Sequence, residues 1–269
     1  MDSVLKSGVY EQLINKSLRQ KLNFLHDAVI RTEKLDGAES SVVLAKYLCE
    51  VLQCALSNID CADKDDTRAR IEFANKIISA ISQETGDDDF AAMEVDEASE
   101  ELTACIRKEN NIYALYPNME IPRPKTSLAE SSLFTGSEKE PPLFSELKAE
   151  IKSCDRIDML VSFIKWSGLR LIIDELEKFT QKGGRLRVIT TTYMGATDAK
   201  AVEKLASLPN TEIMISYNTA STRLHAKAYL FVRDTGFTTS YIGSSNLSKA
   251  ALSSGLEWNL KVTQKDMPQ

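Results

Sequence analysis

Apolar residues in the first third of the chain recur at three- to five-residue steps. Val9, Leu13, Leu18, Leu22, Leu25 and Val29 stand among polar neighbours, which predicts a helix from about Val4 to Leu35. Gly37 ends it, and Ser40 and Ser41 are placed to cap the next helix. That helix, Val42 to about Ile59, is apolar on most sides and is expected at the centre of a helical bundle. A third is expected over Thr67 to Gln83, and a fourth from Phe90 or Asp96 to Lys108. The pattern then lapses. Pro117, Pro122, Pro124, Pro141 and Pro142 alternate with serines, which predicts an extended linker, mobile around Ser127 to Glu140. Beyond it the period switches between helix and strand: helix Phe144 to Ser153, strand Ile157 to Phe163, and a helix from Trp166 to about Lys182 stopped by Gly183-Gly184. Strand Leu186 to Thr192, helix Asp198 to Leu208 and strand Glu212 to Ser216 follow. A β-α-β-α-β order implies parallel strands with right-handed crossovers. Later strands extend the sheet as a mixed one, and Asn246 or Ser248 is placed to cap a short helix to Leu252. The expected organisation is an all-α helical domain over 1–110, a Pro/Ser-rich linker over 111–142 and an α/β domain over 143–269.

Composition changes this picture little. Apolar residues make up 43% of the 269 and charged residues 27%, as in soluble globular proteins. No apolar run approaches the ~20 residues of a membrane span, and no leader pattern opens the chain, so the expectation is cytoplasmic with no membrane partner. Five cysteines without CxxC spacing read as reduced thiols. Charge is more informative. From Phe144 onward 17 Lys+Arg face 13 Asp+Glu, whereas the preceding residues hold 16 against 26. The second half therefore carries +4 and the first −10, so only the second suits an anionic partner. Lone His26 and the run Asp87-Asp88-Asp89 lack metal-ligand spacing and read as structural or solvated, and no metal or cofactor is expected.

The candidate chemistry lies near the C-terminal end, in Arg223-Leu224-His225-Ala226-Lys227, Gly243-Ser244-Ser245-Asn246 and Leu256-Glu257-Trp258-Asn259. Each reads as a strand or strand end, and residues two apart on a strand share a face. His225 pairs in direction with Lys227, Ser244 with Asn246, and Glu257 with Asn259. If these strands are neighbours, an imidazole, an ammonium, an amide and a carboxylate converge, a set suited to phosphoryl transfer without a metal. Tyr229 continues the same face and reads as core, or as a stacking platform for a base. Trp166 and Trp258 read as packing.

His-x-Lys, then Gly-Ser-x-Asn, then a Glu eleven positions past the Asn resembles the phospholipase D superfamily, the HKD phosphodiesterases and nucleases. The resemblance spans roughly Phe144 to Val262. It departs at one position: the family pattern has an Asp five residues after the Lys, where Val232 stands, with Asp234 two residues later. A nuclease branch, with restriction-endonuclease-like members, also lacks that Asp. The wider pattern, including Thr190 to Asp198, resembles the HKD module at the N-terminus of bacterial DEAD/DEAH-type helicases.

The resemblance implies a mixed-sheet, three-layer αβα domain. It also implies a metal-independent phosphodiesterase acting on DNA, or on RNA, through a phosphohistidine. His225 would be the nucleophile, Lys227 and Asn246 with Ser244 would hold the phosphate, and Glu257 would fix an imidazole tautomer. Arg223 suits a phosphate contact or a plain surface position, and Thr191 and Thr192 suit a backbone contact at a strand end. The family fold pairs two motifs, and this chain has one, so a homodimer is expected. No ATP-binding signature is present, so a helicase motor would lie in a longer parent chain. The competing expectation is a non-catalytic nucleic-acid-binding module attached to such a motor. Lipid hydrolysis has no supporting membrane face.

Overall fold

The computed structural model describes residues 5–60, 67–106, 112–116, 118–218 and 224–268. The chain divides into two compact units, Met1–Cys105 and Ile106–Gln269.

The first unit holds α1 (Lys16–Asn23), α2 (Ser40–Ser57) and α3 (Arg68–Thr85). The long helix expected from Val4 to Leu35 contracts to α1. The Asn15 side chain accepts the Leu18 N–H and opens it, and Phe24 closes it. The second and third helices stand close to where the apolar period puts them. The fourth shrinks to a single 3₁₀ turn, Ala91–Met93, because Asp96 turns its carboxylate onto the Ala98 N–H and breaks the run. The length and composition of α2 would also suit a membrane span.

The second unit opens with the short α4 (Ile112–Leu115) and then β1 (Ser132–Phe134), α5 (Leu143–Ser153), β2 (Arg156–Val161), α6 (Trp166–Leu169), α7 (Ile173–Gln181), β3 (Arg185–Thr191), α8 (Ala199–Ala206) and β4 (Thr211–Ser216). It closes with β5 (Lys227–Val232), β6 (Thr239–Gly243) and β7 (Asn259–Thr263). Among the described residues these form a seven-stranded sheet in the order β1-β7-β6-β5-β2-β3-β4. β2, β3 and β4 are parallel, joined by α6/α7 and α8, and the remaining pairs are antiparallel. The mixed α/β sheet is as read from the sequence. The stretch expected to be a linker is built in. β1 pairs with β7, and the Glu146 carboxylate accepts the N–H groups of Lys125 and Thr126 at 3.0 and 3.2 Å. Prolines there mark the corners of an ordered strap.

Alternation divides the strands between two faces. Ile157, Met159 and Val161, with Leu186, Val188, Tyr229, Phe231 and Tyr241, are buried beneath Leu147, Ile151, Leu169, Leu176 and Leu205 of the helices. Under α5 the core is ionic. Glu150, fully buried, accepts from Arg233 at 2.6 Å, Thr239 at 2.9 Å and Tyr241 at 2.9 Å, and pairs with Lys261 at 3.2 Å. The opposite face carries a row in register across all seven strands: Leu133, Leu260, Ile242, Ala228, Leu160, Ile189 and Met214. Of the two helical layers expected around the sheet, the described helices of this unit supply the first.

Candidate active site

The strand ends of this sheet gather at one edge. β2, β3 and β4 finish there, β5 starts there, and β6 and β7 turn there. Val161 pairs with Lys227, and Gly243 with Asn259, so His-x-Lys and Gly-Ser-x-Asn emerge side by side.

His225 lies exposed just before β5, and Lys227 is the buried first residue of that strand. Lys227 Nζ donates to the His225 carbonyl at 2.8 Å and stands 3.0 and 3.1 Å from the two ring nitrogens. The ammonium thus stands about equally far from both ring nitrogens, within reach of whichever carries no proton. Loss of hydration lowers the Lys227 pKa below its usual value, and the Glu257 charge partly restores it.

Asn246 is buried, and its Oδ1 accepts the Phe163 N–H at 3.1 Å. With the oxygen committed to the β2 extension, the amide NH₂ is the group left to donate. Ser244 donates to the Glu257 carboxylate, and its oxygen accepts the Trp258 N–H at 3.1 Å. The hydroxyl expected on phosphate is therefore spent on holding Glu257. Within this chain the Glu257 carboxylate is bound by Ser244, and its tie to Lys227 is through charge.

Beneath these groups lies a layer of buried hydrogen bonds. Asn259 Nδ2 donates to Ser245 Oγ at 2.8 Å, and the Tyr229 hydroxyl donates to the Ser245 carbonyl at 3.1 Å. Tyr229 is core, its hydroxyl pKa pushed up by burial, so the stacking alternative falls away. The Glu257/Asn259 alternation was visible in sequence, but Asn259's partner, 14 residues away, was not. Gly243 is needed because a Cβ there would stand 2.2 Å from the Trp258 carbonyl and 2.7 Å from Asn259 Oδ1.

Thr191 is fully buried. It donates to the Ser216 carbonyl at 2.9 Å and accepts the Tyr193 N–H at 3.2 Å, so its hydroxyl ties β3 to β4. The Thr192 N–H bonds the Ser216 carbonyl at 3.2 Å, which places it in the same tie at the strand end. Arg223 lies outside the described residues. Asp234, late in the motif, sits in an exposed turn with its N–H on Asp155 at 2.9 Å. Trp166 packs against the core under Lys200, which stands 4.4 Å from its ring centre, while the Trp258 ring is exposed. Among the described residues no three His, Cys, Asp or Glu side chains gather as metal ligands.

Residues 147–269 match the family described as "Cardiolipin synthase, PLD-like domain". This stretch, somewhat under half of the chain, is similar to phospholipase D-like domains. No curated protein matches the chain. Among solved structures, the PLD-like domain is similar to NucT from Helicobacter pylori, at 19% identity over 51% of this chain and 87% of that one, TM-score 0.40. It is similar to the phospholipase D family member Nuc from Salmonella typhimurium, at 18% identity over 50% of this chain and 84% of that one, TM-score 0.34. The yeast tyrosyl-DNA phosphodiesterase is matched at 12% identity over 49% of this chain, TM-score 0.33, and the match spans only 31% of that enzyme.

Proposed function

We propose that the PLD-like domain hydrolyses phosphodiesters of DNA, through a covalent intermediate on His225 and without a metal ion. The reading is carried by the clasp of Lys227 on His225 at the sheet edge that also holds Asn246 and Glu257. An imidazole nitrogen of His225 attacks phosphorus, and the bond from phosphorus to the leaving oxygen breaks. His225 of a second copy donates a proton to that oxygen, then takes one from water as it attacks, and the N–P bond breaks. Lys227 and the Asn246 NH₂ oppose the charge gathering on the non-bridging oxygens. Ser244 and Glu257 form the acidic side of the site, where the incoming imidazole of the second copy would be held. The basic balance of this half of the sequence, +4 from Phe144 onward, supports a nucleic-acid substrate. A helicase-type motor in a longer parent chain, of the kind used in restriction or repair, fits the motif around Thr190 to Asp198.

The test is cleavage of plasmid and oligonucleotide DNA in EDTA by the unmodified chain and by His225→Ala. Cleavage should persist in chelator and disappear in the variant, and the unmodified chain should be trapped at early times with a DNA strand joined through its phosphate to His225. Cleavage that needs added metal, or survives the variant, overturns the mechanism. One observation favours a second reading. The chain's only other histidine, His26, lies in the other unit, so a solitary copy has half of a two-histidine site. Tight binding of DNA by a monomer without cleavage would identify a module that grips phosphate for an attached motor.

A further inference from the structure

Trp258 stands apart from the other large side chains at the site edge. Its ring is 64% exposed, whereas Trp166 packs against the core. Leu256, on the other side of Glu257 in sequence, is 86% exposed. The backbone that carries the indole is nonetheless fixed. The Ser244 N–H donates to the Trp258 carbonyl at 3.0 Å, and the Trp258 N–H donates to Ser244 Oγ at 3.1 Å. That hydroxyl in turn donates to the Glu257 carboxylate. One residue on, buried Asn259 donates to Ser245 Oγ at 2.8 Å. A large aromatic ring is thus held in water on a rigid mount, next in sequence to a carboxylate of the site.

Register gives its distance from the ammonium. β5 pairs Ala228 with Ile242, which sets Lys227 opposite Gly243, and Gly243 pairs with Asn259. Lys227 and Asn259 are therefore two strand spacings apart, about 10 Å. Trp258 lies one residue nearer the site edge, within reach of the nucleoside next to a phosphate held at Lys227.

We propose that the Trp258 indole is the stacking platform for a base flanking the scissile phosphate, so that the site takes single-stranded DNA. If, as proposed above, DNA is the substrate, this ring is what selects the strand. Charge decides which part of the nucleotide meets it. The Glu257 carboxylate beside it repels a phosphate, whereas a neutral base meets no such penalty. Stacking decides the strand. In a duplex both faces of a base are taken by its neighbours, and only an unpaired strand can turn one toward the indole. The mount is already in place, so binding orders little on the protein side. Every base offers a π-face, so the platform selects unpaired strands without selecting a sequence.

The experiment uses the full chain carrying His225→Ala, in EDTA, so that DNA is bound without being cut. The probe is a short oligothymidylate, free or paired with oligoadenylate. Tryptophan emission and the anisotropy of a labelled strand are read. The free strand should quench emission and the duplex should not. Trp258→Phe should remove the quenching, since Trp166 is then the only indole left. Trp258→Ala should weaken binding of the free strand about 5- to 150-fold, the worth of one stacked base, and Trp258→Phe should recover most of that loss. An abasic strand with the same number of phosphates should bind alike with and without the indole. Quenching that survives Trp258→Phe, or equal affinity of Trp258→Ala for the free strand, overturns the platform and leaves hydrolysis standing wherever the unmodified chain still cleaves in EDTA. Quenching as expected, with no cleavage by the unmodified chain, keeps the platform and overturns hydrolysis. Failure of every strand to bind overturns both.

Discussion

Ser244 has two hydrogen-bonding directions, and the fold uses both. It gives its proton to Glu257 and receives one from the Trp258 backbone. Ser244→Ala leaves the carboxylate without its donor, and a bond to a charged group is worth about 1.5–3 kcal/mol. Cleavage should therefore fall about 10- to 100-fold with little change in DNA affinity, read as kcat against KM. Lys227→Ala should act on both, since the ammonium beside the imidazole would in the proposed reaction also meet the phosphate. Gly243→Ala tests the layer below. The added methyl would drive the Trp258 carbonyl and Asn259 apart, at about 1–3 kcal/mol of overpacking, and should lower the urea midpoint along with activity. The side chains at this scale were legible in sequence as types and spacings: His225, Lys227, Asn246 and Glu257 were all named by alternation on strands. Their partners were not. That the Asn246 amide oxygen meets the Phe163 N–H, and which donor meets Glu257, depends on loops brought together over 83 and 13 residues, and no period records that.

At the scale of elements, strands were better read than helix ends. β2 to β4 were legible because apolar and β-branched residues recur at alternate positions, so that burial alternates along β2 and β3. The helix expected from Trp166 to Lys182 is two, α6 and α7, split at Ile172, whose φ of −128° is not helical. Gly168 shows why the break is tolerated: α6 lies so close to the Leu247–Ser248 backbone that a Cβ would approach within 2.4 Å. The short helix expected over Ser248 to Leu252 is a π-helical turn, Ala250–Ser254, with Ser248 accepting the Ala251 N–H. Two predictions belong here. Glu150 joins α5 to β6 and β7, and Glu150→Gln would leave Arg233 and Lys261 as buried cations without their counter-charge. A loss of about 3–5 kcal/mol is expected in urea unfolding. Asp198, which ties α8 to the start of α6, accepts the Trp166 N–H at 2.8 Å and pairs with Lys165, and both hold its pKa below the usual carboxylate value, the backbone bond most. Its folded pKa is the lower one, so its stabilisation is present above the unfolded value and is lost as pH falls through the folded value. Asp198→Asn should flatten the acid limb of the stability curve.

Across the whole molecule, charge and fold change at different places. The balance turns basic at Phe144, yet the second compact unit begins at Ile106. Composition marks where the soluble face changes character, whereas a domain boundary is set by which backbone groups find partners. Serines and prolines between 118 and 142 look like spacer by composition. In the structure Ser131 binds Asp266 through its N–H at 2.6 Å, Thr263 donates to the Ala129 carbonyl at 2.9 Å, and Lys261 reaches Thr126 Oγ1 at 2.9 Å. No periodicity announces these ties, because a three-residue strand is too short to show one.

That strap governs how the protein tolerates being cut. Trimming at residue 143, where composition suggests a seam, would strip β1 from β7 and bare a row of unsatisfied amides and carbonyls beside Leu260. An unprotected rim of that kind recruits other chains into ever-longer ribbons. A fragment starting at Ile106 should stay clear in solution, while one starting at Leu143 should turn turbid on concentration, as light scattering would record.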